Sequence, residues 1–390
     1  MRGGVVFIFL TILFGFIFDL SYLAHGVRCT YLRGESSAQV DDYSFFFTRP
    51  VVANHPFIIP KSINYKNKIV NDSLNAALVK YKSTAFLVVQ NDSVVLEKYW
   101  GDGGPDVLSN SFSMAKSIMS LLVGSAIDEG FIESVDQDIV SFIPEIENFD
   151  NKNPVKIKHL LGMSSGLSWL ENYKRPISVT AKAYYGKNIN DLMFKQNFIS
   201  KPGEFFKYQS GDTQLLGVLL ERAVGESVSD YASHALWSKI GASKNALWSL
   251  DSSDGSEKTF CCFNSTARDF AKIGLLMLNG GQLNNSIVVS PEYFRWLFSV
   301  PLLKMGDKKS SRFGKVIKHY SNSWYVAKVL DYDVFYARGF LGQYIVAIPD
   351  LNLVFVRLGK SEDSASNNND FLLTNSLSFY IEQVILEFKH

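Results

Sequence analysis

Ser113 and Lys116 stand three residues apart in Ser111-Phe112-Ser113-Met114-Ala115-Lys116-Ser117-Ile118, at the start of a long apolar stretch. Residues three apart on a helix share a face, so the Ser113 hydroxyl and the Lys116 amine fall within hydrogen-bond reach. An amine in an apolar helix is costly while charged. Burial lowers its pKa, which turns it into a base for the serine proton, and the nearby helix N-terminus favours developing negative charge. A second candidate is Tyr208 in Phe206-Lys207-Tyr208-Gln209-Ser210-Gly211-Asp212, at a loop-to-helix junction. Held near a cation that lowers its pKa, its phenol could hand a proton between Ser113, Lys116 and a leaving group. The third is Ala337-Arg338-Gly339-Phe340-Leu341-Gly342-Gln343, at the end of one strand and the turn into the next. Glycine there permits close backbone approach, so a substrate carbonyl could lie against the strand and receive N–H bonds. Taken singly, these are also a capping serine beside a surface lysine, a packed tyrosine and an ordinary turn.

Two further blocks stand between the motifs: Ile157-Lys158-His159-Leu160-Leu161-Gly162-Met163-Ser164-Ser165-Gly166-Leu167, and Asn264-Ser265-Thr266-Ala267-Arg268-Asp269-Phe270-Ala271-Lys272-Ile273-Gly274 running on to Gly280-Gly281. In this order and context, over roughly residues 80 to 385, the chain resembles the β-lactamase-related serine hydrolases. Within them it is most similar to class C β-lactamase-like esterases and 6-aminohexanoate-dimer hydrolases. The resemblance implies Ser113 as nucleophile, Lys116 as its base and Tyr208 as proton shuttle. It implies an oxyanion hole from the backbone N–H groups of Ser113 and Phe340, and a substrate pocket that includes Ser210, Gly339 and Gly342. No metal or cofactor is implied.

Penicillin-recognising relatives carry Lys-Thr-Gly or His-x-Gly at the third motif, where a cation faces the substrate carboxylate. This chain has Ala337-Arg338-Gly339, and alanine cannot do that work. Arg338 alternates to the other face of the strand and reads as an ion-pair partner. Arg268 and Asp269 read as supports of the fold. The expected activity is therefore hydrolysis of a small ester or short amide. The alternatives are a peptidase or weak β-lactamase acting on D-amino-acid peptides of the cell-wall type, and a binding scaffold of the same fold without catalysis.

The elements that must position these residues follow from periodicity. Thr84 to Gln90 and Val94 to Trp100 are β-rich runs around Asn91-Asp92-Ser93, the composition of a hairpin and its turn. Phe112 to Ile127 is helical and apolar nearly all round, with Glu129-Gly130 to end it. Residues 131 to 260 alternate short helical stretches, among them Ile157 to Leu161 and Gln214 to Val224, with turns and without strand alternation. Strands return at Ser323 to Val329, Val334 to Arg338, Gln343 to Ile348 and Leu353 to Leu358, and Phe371 to Phe388 closes the chain as a helix. This order, together with the resemblance, predicts an α+β protein of three-layer α/β type: the serine β-lactamase and penicillin-binding-protein fold, an antiparallel sheet flanked by helices with a mostly helical lobe.

With 47% apolar and 20% charged residues the chain can bury a large core, and a net charge of +1 with scattered lysines excludes a nucleic-acid surface. The three cysteines are too few for a disulfide framework and lack metal-site spacing, so Cys261 and Cys262 read as small buried residues. At the N-terminus, Arg2 precedes an apolar run from Val5 to Phe18, and Ala24-His25-Gly26 offers a cleavage site before Val27. Residues 1–26 are thus expected to be an export signal or an uncleaved membrane anchor through residues 5–24, either of which puts the rest in the periplasm or outside the membrane. Cys29 lacks the surroundings of a lipid-modified cysteine. Residues 27–80, with their Phe45-Phe46-Phe47 cluster and prolines, read as an arm over a catalytic domain at 81–390.

Overall fold

The computed structural model describes residues 20–66, 71–147, 152–301, 303–306, 314–363 and 373–389. Most of the expected export segment, residues 1–19, lies outside the described residues. Among the described residues no helix is long and apolar enough to cross a membrane.

The chain begins with helix α1 (Ser21–Cys29), reaches strand β1 (Lys61–Lys66) and helix α2 (Asp72–Lys80), and enters the hairpin β2 (Ser83–Gln90) and β3 (Ser93–Tyr99). Asn91 and Asp92 both have positive φ, the conformation that lets a two-residue turn follow the strand twist. The helical lobe includes α3 (Met114–Asp128), α4 (Ser210–Val224) and α5 (Ala267–Leu278). The chain then returns through β4 (Tyr320–Ser321), β5 (Trp324–Val329), β6 (Tyr332–Gly339), β7 (Gln343–Ile348) and β8 (Leu353–Gly359) to α6 (Asn375–Phe388). Together the strands make one sheet in the order β4-β5-β6-β7-β8-β2-β3-β1. Its pairs are antiparallel except the edge pair β1·β3, which is parallel.

Alternation along the central strands splits the core into two layers. Leu87, Val89, Ile345, Val354 and Val356 face the helical lobe, whereas Phe86, Val88, Val346, Phe355 and Ile348 face α2 and α6. Strands covered on both sides are apolar throughout, and β7 and β8 are buried at every position. Helix α3 is buried from Met114 through Ala126, the placement its all-round apolarity requires.

Two expectations need correction. Residues 27–80 are more than a draped arm: Thr48–Val51 pairs with Ala246–Ser249, which is itself a strand in the stretch expected to have none, and β1 joins the main sheet. Cross-chain pairing, rather than local alternation, makes strands of these short segments. The expected boundary at residue 26 falls inside α1. There Tyr22 is buried, the Gly26 backbone lies against the Tyr185 ring, and the His25 ring bonds the carbonyls of Tyr185 (2.9 Å) and Phe45 (3.1 Å). A chain starting at Val27 is expected to be about 2–4 kcal/mol less stable than one starting at Leu20, from two lost hydrogen bonds and one unburied aromatic ring. Urea melts of the two chains check this, and equal midpoints would mean that α1 is only loosely held.

Candidate active site

Ser113 stands at the N-terminus of α3, directly before Met114, and Phe112 before it is held at φ 44°. That left-handed residue breaks the approach from Ser109–Asn110 sharply enough to present Ser113 at the helix end, and the Asn110 side chain fixes it by accepting from the Phe112 N–H at 2.8 Å. Ser113 is half-buried; Lys116, one turn on, is 2% exposed. The Lys116 Nζ lies 3.1 Å from Ser113 Oγ, 3.3 Å from Ser210 Oγ and 2.7 Å from the Phe260 carbonyl oxygen. Burial pulls its pKa down to about 8, against an opposing pull from the Glu171 carboxylate.

Tyr208 stands beside this pair, its ring centroid 5.2 Å from the lysine nitrogen. Its phenol is not lowered as expected. Burial and the neighbouring Tyr325, Tyr173 and Tyr320 raise its pKa well above the usual range, with the Ser113 hydroxyl a smaller opposing influence. Tyr208 therefore holds its proton at rest. Gln209 turns inward to donate to Ser165 (3.1 Å) and Asp212 (2.9 Å), fixing the loop before α4.

The segment after β6 meets the segment before α3. Phe340 packs edge-on against Phe112 at 5.5 Å and stacks on Tyr173 at 6.0 Å. Gly339 belongs to that contact and not to a substrate face: a Cβ there would sit 2.1 Å from the Ser111 carbonyl oxygen. Gly342 likewise turns inward, at φ 79° and against the Arg357 guanidinium. Arg357 is fully buried and donates to the carbonyls of Leu341 (2.8 Å) and Gly342 (2.7 Å), while Gln343 donates to Phe340 O (3.0 Å). Among the described residues no hydrogen-bond acceptor within the protein engages the Ser113 or Phe340 N–H. Gly339→Ala is expected to cost about 1–3 kcal/mol through overpacking and to disturb the Ser113 turn directly. Thermal melts check the first and Ser113 labelling the second; an unperturbed variant would mean that the two segments slide apart freely.

Ser210 does not line a pocket either. It is 1% exposed and lies between Lys116 and Glu171, to which its N–H (2.7 Å) and hydroxyl (2.9 Å) donate. Glu171, Trp169, Tyr173 and Phe260 are neighbours that sequence reasoning missed. Trp169-Leu170-Glu171-Asn172-Tyr173 begins one residue beyond the block ending at Leu167, and that nearness is the signal that could have flagged three of them; nothing local marks Phe260. Cys261 and Cys262 are buried, as expected, and are in addition bonded to each other just after Phe260. Ala337 is fully buried in the core, and Arg338 pairs with Glu362 at 3.4 Å. Arg268 is bidentate to Glu97 (2.6 and 2.6 Å), and Asp269 accepts from the N–H groups of Ser243 and Lys244 and from Lys272. Both stand as fold supports.

A sheet between two helical layers, with Ser-x-x-Lys at the head of the buried helix beneath it, is the fold of the serine β-lactamases and penicillin-binding proteins. The chain belongs to the Beta-lactamase family, whose model matches residues 72–375. Over 217 residues it is 29% identical to the 6-aminohexanoate-dimer hydrolase of Paenarthrobacter ureafaciens, covering 53% of this chain and 54% of that one. It thus spans about half the length of that curated relative. A solved Bacillus anthracis structure named for 6-aminohexanoate-dimer hydrolase superposes with a TM-score of 0.74 at 21% identity, over 90% of this chain and 92% of that one. A beta-lactamase/D-alanine carboxypeptidase from Yersinia pestis does so at 0.60 and 17%, over 81% and 96%. These two likenesses carry the fold alone.

Proposed function

We propose that the chain is a serine hydrolase that forms an acyl-enzyme on Ser113 and hydrolyses small esters or short amides. One observation carries the reading: a buried amine, its pKa drawn down toward neutrality, within hydrogen-bond distance of a half-exposed serine hydroxyl at a helix N-terminus. Neutral Lys116 takes the Ser113 proton as Oγ bonds to the substrate carbonyl carbon. The oxyanion is received by the N–H groups of Ser113 and Phe340, which no acceptor among the described residues engages. Tyr208, protonated at rest, gives its proton to the leaving group and recovers one from Lys116, which balances the acylation half. Water repeats the sequence in reverse to free the acid.

The buried Ala337 weighs against recognition of a substrate carboxylate, so turnover of p-nitrophenyl esters is expected to exceed that of the β-lactam nitrocefin. Parallel assays with both compounds test the assignment. Efficient nitrocefin hydrolysis with inert esters would replace it with a β-lactamase reading.

A further inference from the structure

Ser210 has one hydroxyl proton; Glu171 Oε1 lies at 2.9 Å and Lys116 Nζ at 3.3 Å from its oxygen, and the Tyr173 phenol, protonated because burial raises its pKa, bonds both Ser210 and Glu171 from the side. A carboxylate accepts only, so the proton goes to Glu171 and the Ser210 lone pairs are left facing the lysine. Lys116 must then donate one N–H to Ser210. It donates a second to the Phe260 carbonyl at 2.7 Å, which also only accepts. A neutral amine has two hydrogens and one lone pair, and with both hydrogens committed the lone pair remains for the third neighbour, the Ser113 hydroxyl at 3.1 Å. That is the orientation a base requires.

We propose that Glu171 is a positioning residue which, by fixing the direction of the Ser210 hydrogen bond, aims the Lys116 lone pair at Ser113. The inference rests on the hydrolase reading above and deepens it. Glu171 is itself held: its Oε2 accepts from the Ser210 N–H (2.7 Å) and from Trp169 Nε1 (2.8 Å), its Oε1 faces the Ser210 hydroxyl, and the Tyr173 phenol also donates to the carboxylate. Other titratable groups around the lysine are the phenols of Tyr208 and Tyr173, with Tyr325 beyond them; Asp212 faces Ser165 and Gln209 instead. Glu171 is the charged group acting on Lys116.

The isosteric change Glu171→Gln separates direction from charge. Two N–H donors at Oε2 call for the amide oxygen there, which puts the amide NH₂ where Oε1 was. It then donates to Ser210, whose own proton swings toward Lys116 and competes for its lone pair. E171Q is therefore expected to lower kcat for p-nitrophenyl butyrate by about a hundredfold, the scale of a general-base contribution, with KM little changed. Ser210→Ala removes the competing proton altogether and should lose less. In the double variant the glutamine has no hydroxyl to turn, so E171Q/S210A should match S210A. If Glu171 acted through charge alone, E171Q would lower the lysine pKa further and raise the rate at neutral pH, overturning the relay. Multiplying losses in the double variant would overturn it too. Thermal melts accompany each rate. If E171Q melts early, Glu171→Met replaces it: with the acceptor gone the Ser210 proton is again free to turn to Lys116, so kcat falls and the loss must not multiply with S210A; an unchanged kcat, or losses that multiply, is the contrary result. Ser113→Ala run alongside separates the two ideas, since activity surviving in that variant refutes the hydrolase reading and not the relay.

Discussion

Ser113→Ala is expected to remove ester hydrolysis by roughly four orders of magnitude or more, leaving only what substrate positioning and the oxyanion donors supply. In the proposed reaction the Ser113 hydroxyl bonds the acyl carbon: it is half-buried and 3.1 Å from the Lys116 amine, whereas Ser210, the other serine bonded to that amine, is 1% exposed. The loss should fall on chemistry and not on folding. Ser113 Oγ makes no capping bond to α3, so its removal leaves the helix end as it was. Intact-protein mass spectrometry with a fluorophosphonate probe reads the outcome directly: one adduct on the unaltered chain and none on the variant, with matching melting curves. An adduct on folded S113A would mean that another hydroxyl is the nucleophile.

Lys116→Met should cost about a hundredfold to ten-thousandfold in kcat, the range for a positioned base. Its pH signature is more specific than its size. Burial has brought the amine's pKa down to about 8, and only the neutral form can take a proton, so kcat/KM should climb as pH rises through about 8 and level off above it. Tyr208, raised well above its usual range, cannot produce that limb because it stays protonated across it. K116M should lose the limb along with the rate. A profile flat between pH 6 and 9 in the unaltered chain would place the base elsewhere.

Much of this site was legible because its key pair is local. Ser113 and Lys116 are linked by helical spacing alone, and the apolar run around them predicts the burial that shifts the amine. The hairpin around Asn91-Asp92 and the strands β6, β7 and β8 were readable for the same reason, since alternation and turn chemistry are properties of a few consecutive residues. Tyr208 was found by its motif, but its pKa direction was misjudged because its burial, and the added influence of Tyr320 and Tyr325, arise only in the folded chain.

What only the tertiary structure decided is everything that depends on which distant backbone fills a space. Gly339 looked like room for a substrate and proved to be room for the Ser111 carbonyl; Ser210 looked like a pocket wall and proved to be the link between Lys116 and Glu171. The Thr48–Val51 and Lys61–Lys66 strands exist because partners 195 to 201 and 30 to 33 residues away pair with them. Sequence carries the periodicity and the residue chemistry, which are local. Hydrogen-bond direction, the loss of solvent around an ionisable group and the contact that forbids a Cβ arise only when remote segments close on each other, and no window of neighbouring residues records that closure.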